Sequence, residues 1–134
     1  MPEETKVFET DYVVTEREAI HFMGAEVPPV LSTPSMINWM ELASRANASE
    51  LLKPGEDTVG VSVQVTHLAA TPVGMKVHVV SKLKQVEGRT YSFEVEAFDE
   101  KEKIGEGLHK RSSVTLTKFA DRILAKKETS KHAG

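Results

Sequence analysis

The sequence predicts an α+β fold in which a curved antiparallel sheet wraps around one long helix. Three observations carry this. The segment from Thr33 to about Leu52 places apolar residues around most of a helical circumference, so the helix is expected to be buried on most sides. Runs of alternating apolar and polar residues follow it, the pattern of strands with one covered face. The chain has 134 residues, the size of one domain, so 1–134 is expected to be a single unit.

Taken in order, Thr5–Val14 is rich in β-branched and aromatic residues and reads as a first strand. Thr15, with Glu18 three residues later, is a capping pattern for a short helical turn. Met23–Ser32 holds Gly24, Pro28 and Pro29 and reads as an irregular loop. The long helix is expected to start with Thr33 as its N-cap and Pro34 in the first helical position. It should stop before Pro54-Gly55. Around it, Met36, Ile37, Trp39, Met40, Ala43, Ala46, Ala48 and Leu51 leave Asn38, Arg45 and Ser49 as a narrow polar strip. Val59, Val61, Val63 and Val65 then alternate with polar residues, and the series ends in His67. Val73–Val80, Arg89–Phe98 and Lys103–Lys118 give three further runs, with turns at Glu87-Gly88 and Asp99–Glu102. Phe119–Lys127 reads as a short closing helix, and the tail from about Lys126 to Gly134 is expected to fray.

Composition removes several function classes. The net charge is −3, which argues against a basic nucleic-acid surface. There is no cysteine, so disulfides, thiolate nucleophiles and sulfur-ligated zinc are excluded. No stretch approaches the ~18 consecutive apolar residues of a membrane helix. The acidic start, MPEETKVFET, lacks the apolar core of a signal peptide, and the expected location is the cytoplasm. Metal-binding and nucleotide-binding motifs are missing, so no metal or cofactor is expected, and no Ser sits in a nucleophile elbow.

Chemistry-bearing residues fall at a few positions. Glu41 lies within the helix beside Ile37 and Ala48, where a carboxylate must be either paired or used. His67 ends the alternating valine series, as an acid–base group or as a histidine that caps the core. Thr33 puts a hydroxyl at a helix N-terminus, either as plain cap or beside a developing oxyanion. Thr33 and Glu41 are about 12 Å apart along the helix, so a joint role needs His67 between them or a second subunit. Gly105, Gly107, His109 and Arg111 share one strand face, where glycines permit close approach and Arg111 can hold an anion; a bulged edge strand with solvated His109 and Arg111 is the plainer alternative. His78 lies on a polar face with Lys76 and Lys82 and reads as solvated; His21 and His132 fall in loop and tail.

Four segments then resemble one family. They are Thr33-Pro34-Ser35-Met36 through Met40-Glu41, Gly60 through VTHLAATPVG ending at Gly74, Val86-Glu87-Gly88-Arg89, and IGEGLHKR from Ile104 to Arg111. Together they resemble the fluoroacetyl-CoA thioesterase-like branch of the hotdog-fold thioesterases, over about Val7–Phe119. The resemblance implies a hotdog fold, a homodimer with active sites near its interface, and hydrolysis of an acyl-CoA thioester without a metal. It matches Thr33, Glu41 and His67 to the family's catalytic residues, and Gly60 and Arg111 to its substrate-contacting ones. In the family, fluoroacetate selectivity goes with aromatic residues in the lid before the helix. Here Gly24–Ser32 has none, and Val27 and Leu31 are its bulkier apolar members. The resemblance therefore supports a thioesterase site more strongly than a particular acyl group. A non-catalytic module on the same fold that binds acyl-CoA or another small ligand is the alternative, since one fold hosts many functions; a hotdog dehydratase is the third reading.

Overall fold

The computed structural model describes residues 5–129. β1 (Lys6–Val13) leads into a 3-10 turn at Glu16–Glu18, closed by a capping box between Thr15 and Glu18. Two short strands follow, β2 (Ala19–Ile20) and β3 (Val30–Leu31), which pair with each other. Then come α1 (Thr33–Ser49), β4 (Glu56–His67), β5 (Lys76–Glu87), β6 (Thr90–Phe98), β7 (Lys103–Thr115) and α2 (Leu116–Thr129).

The five long strands form one antiparallel sheet in the order β1-β5-β6-β7-β4. Successive strands from β5 to β7 are neighbours. The step from β4 to β5 crosses the sheet, which leaves β4 on one edge and β1 on the other. α1 packs across the concave face, against β5, β1, β4 and β6. This is the expected hotdog architecture.

The core lies between α1 and the sheet. Met36, Met40 and Ala43 meet Val77, Val79, Phe93, Val95, Ala97 and Ile104 there. Each Val, Ile, Met or Phe among them contributes about 1.5–3 kcal/mol when fully buried, and the two alanines less. Trp39 stacks on Tyr12 of β1 at 4.7 Å between ring centres. Gly105 lets the helix come this close: a Cβ there would stand 2.5 Å from the Met36 sulfur.

β3 falls inside the segment read as a loop, β5 starts at Lys76 and runs on to Glu87 rather than spanning Val73–Val80, and four further details differ from the sequence reading. Ser32, not Thr33, is the N-cap of α1, with its hydroxyl accepting from the Ser35 N–H at 3.2 Å. A serine one residue earlier serves equally well as a cap, and Thr33 is freed for another partner. The helix ends at Ser49, and Leu42 joins Asn38, Arg45 and Ser49 on its exposed strip. Two polar residues, Ser44 and Asn47, are fully buried and bond to Ser81 on β5. α2 continues through Lys126 and Lys127 to Thr129; the rest of the expected tail, His132 included, lies outside the described residues.

Candidate active site

β4 does not alternate along its whole length. A bulge between Gly60 and Ser62 adds a residue relative to β7. The strand's facing pattern therefore reverses at Val61. Val63, Val65 and His67 share the helix side with Gly60, and Val59 does not belong to that face. The apolar series from Val59 to His67 is therefore two series, split at the bulge.

At the far end of β4 the chain turns back toward the start of α1. The Leu68 N–H bonds the Ile104 carbonyl at 2.6 Å, and the Leu31 N–H bonds the Thr71 carbonyl at 2.8 Å. These contacts set His67 against the first turn of the helix. Thr33 Oγ1 and His67 Nδ1 are 2.7 Å apart. Nε2 of the same ring is buried and has no hydrogen-bond partner among the described residues. Burial holds the His67 pKa below its ordinary value, against a weaker opposing pull from the Ala69 backbone. The imidazole is thus neutral near pH 7, able to take a proton from the Thr33 hydroxyl. The pair opens into a cavity of about 740 Å³, lined mainly by apolar side chains that include Ile20, Phe22, Val30 and Leu68. The helix N-terminus adds its partial positive charge there.

A second polar group sits near the other end of β4. Arg111 is 6% exposed, and it is held by Thr58 through Nε to Oγ1 at 2.8 Å and Nη2 to the carbonyl at 2.9 Å. Its Nη1 lies 3.2 Å from His109 Nε2 and 3.9 Å from Glu41 Oε2. Gly60 makes room for this arrangement: a Cβ at Gly60 would stand 2.5 Å from Glu41 Oε2 and 3.3 Å from His109 Cε1. Glu41, Asn38, Thr58, Gly60 and Arg111 line a smaller cavity of about 360 Å³.

The structure thus sorts the five singled-out residues into two groups. Thr33 joins His67, and Glu41 joins Gly60 and Arg111. Within one chain the groups stand apart, by about 12 Å along α1 and roughly 20 Å along β4. The edge-strand alternative for β7 is overturned, because β7 lies between β6 and β4 and buries both His109 and Arg111. Thr58 and the Ser62 carbonyl carry no signal in the sequence, since cross-strand register alone brings them to Arg111 and His109. Phe22 also lines the cavity; it lies two residues before the Gly24–Ser32 lid segment and is 81% exposed.

Residues 14–116 match the family described as fluoroacetyl-CoA-specific thioesterase. The chain belongs to the fluoroacetyl-CoA-specific thioesterase family. Within it, the fluoroacetyl-CoA thioesterase of Streptantibioticus cattleyicolor is 37% identical over 125 residues, covering 89% of this chain and 90% of the relative. A solved fluoroacetyl-CoA thioesterase structure superposes with a TM-score of 0.84 at 35% identity, covering 92% of this chain and 96% of the other. A thioesterase superfamily member from Thermus thermophilus gives a TM-score of 0.86 at 31% identity, covering 95% and 94%. This member of the fluoroacetyl-CoA-specific thioesterase family is accordingly a hotdog-fold thioester hydrolase.

Proposed function

We propose that the protein hydrolyses a small acyl-CoA in a composite site built by two copies of the chain. Thr33 and His67 come from one copy, and Glu41, Gly60 and Arg111 from the other. The observation that carries the chemistry is the 2.7 Å Thr33–His67 contact at the mouth of the apolar cavity. Small acyl groups suit such a pocket, and similarity to relatives named as fluoroacetyl-CoA thioesterases points to a CoA thioester.

The dimer reading rests on the free edge of β4. This edge carries Val61 at 57% and Val63 at 38% exposure, beside Leu42 of α1 at 43%. An exposed apolar edge strand is a template for pairing. Antiparallel pairing of two β4 strands centred near Val63 sets Gly60 of one copy beside the Val65–His67 end of the other, on the same side of the sheet. The two separated groups then meet twice, once on each side of the two-fold axis.

The chemistry follows from the parts. Thr33 Oγ, or a water it holds, attacks the thioester carbonyl. His67 takes the proton and returns it to the leaving thiolate; where Thr33 is the nucleophile, the same imidazole then activates a water that hydrolyses the acyl-Thr33 ester and restores the hydroxyl. Backbone N–H groups, including that of Gly60, steady the oxyanion, and Glu41 orients the attacking group. A cytoplasmic location is part of this reading, and the absence of cysteine fits a reducing compartment.

The test is thiol release from fluoroacetyl-, acetyl- and butyryl-CoA. Thr33→Ala and His67→Ala are expected to lower kcat by about 10²–10⁴-fold. Mixing inactive His67→Ala and Glu41→Gln proteins should restore activity at about a quarter of the sites, because each mixed dimer keeps one intact composite site. No recovery on mixing would refute the shared site. Tight acyl-CoA binding with no turnover in the wild type would favour the binding module instead.

A further inference from the structure

His109 is 1% exposed on β7, and the hydrolysis just described makes no use of it. Its two ring nitrogens have opposite partners. Nδ1 lies 2.9 Å from the Ser62 carbonyl, which can only accept. Nε2 lies 3.2 Å from Arg111 Nη1, which can only donate, and 3.9 Å from Glu41 Oε2, beyond hydrogen-bond reach. The ring is therefore neutral, with its proton on Nδ1. Burial, the largest influence on it, lowers its pKa; the Ser62 carbonyl and Glu41 pull upward and Arg111 downward. Phe93 covers a ring face at 6.1 Å.

The position of Arg111 calls for this acceptor. A guanidinium facing a carboxylate ordinarily closes to about 2.7–2.9 Å. Here Nη1 stops 3.9 Å from Glu41 Oε2 and gives its bond to His109. Thr58 fixes the other edge of the guanidinium. The Ser62 carbonyl, which orients the imidazole, belongs to the bulge that turns Gly60 toward Glu41.

We propose that His109 is a positioning residue of the thioesterase site: its Nε2 lone pair holds Arg111 back from Glu41 and keeps that carboxylate free for the reaction. This rests on the reading that Glu41 and Arg111 belong to the site. Without the acceptor, Nη1 closes onto Glu41 and ties it up.

Two substitutions separate the ring's two contacts. In His109→Asn the amide overlays Nδ1, so the tie to Ser62 remains and the acceptor for Arg111 is lost. In His109→Gln the amide overlays Nε2 and can accept from Arg111. With the fastest acyl-CoA of the panel, His109→Asn should lower kcat/KM by up to about 100-fold. His109→Gln should recover most of it. His109→Asn should change little when added to Arg111→Met, because both act through one contact. Equal losses in Asn and Gln variants, or no loss in Asn, would overturn the proposal. An Arg111→Met enzyme with full activity would instead bring down the reading of the site beneath it. A wild-type measurement covers the case in which His109→Asn does not fold: ¹⁵N shifts of the ring should report the neutral Nδ1–H form. An Nε2–H tautomer, or titration at the ordinary value of 6.5, would refute it.

Discussion

At the residue scale, Thr33 and His67 show how a one-position shift changes chemistry. Had Thr33 been the helix cap, its hydroxyl would have been turned to a backbone N–H. Ser32 takes that duty, and the Thr33 hydroxyl faces an imidazole instead. Because burial depresses the His67 pKa, less of the base is protonated than of a free histidine at the same pH. The acid limb of kcat/KM, which reports the free enzyme, is therefore expected below pH 6.5. A limb at or above that value would contradict the role given to His67. The stability sign agrees: His67 contributes fully above its unfolded pKa, and the contribution falls as pH drops below it.

At the scale of elements, the two edge strands are secured differently. β1 is held to β5 by His78, whose Nδ1 meets Asp11 at 2.7 Å and whose Nε2 meets Glu9 at 2.6 Å. Far from being merely solvated, this histidine bridges two carboxylates of β1. They raise its pKa above 6.5, with Asp11 the larger influence. Here the sign is opposite to that of His67. The stabilisation is complete below the unfolded pKa and is lost as pH rises through the folded one. A fall in Tm between pH 6 and 8 is therefore expected, and Asp11→Asn should diminish that fall. An unchanged pH dependence of Tm in this variant would show that His78 does not tie the strand. β4 is tied inward, through Asp57 to Arg45 of α1 and through Thr58 to Arg111 of β7, and its outer edge carries the exposed valines.

At the scale of the molecule, the chain is folded but its two polar groups are apart. The distance between them is fixed by α1 and β4, neither of which bends enough to join them. Pairing through β4 is the economical solution, and it predicts that disrupting this edge abolishes activity without unfolding the chain. Val61→Lys, at the exposed bulge, should give a folded monomer by sedimentation and a low thioesterase rate. A fully active monomer would rule out the shared site. No helix among the described residues is long and apolar enough to cross a membrane.

The sequence by itself determined the order of the long elements, because long apolar periodicities and turn residues are local signals; the two-residue strands β2 and β3 carry no such signal. It also singled out Thr33, Glu41, His67, Gly60 and Arg111, whose residue types and spacing carry the family resemblance. Only the tertiary structure decided how these residues group. The bulge at Val61 reverses which residues of β4 face the helix, and the crossover from β4 to β5 sets that strand beside β7. Thr58 meets Arg111, and the Ser62 carbonyl meets His109, through that register. These are contacts between residues distant in the chain, so no local pattern of side chains could announce them.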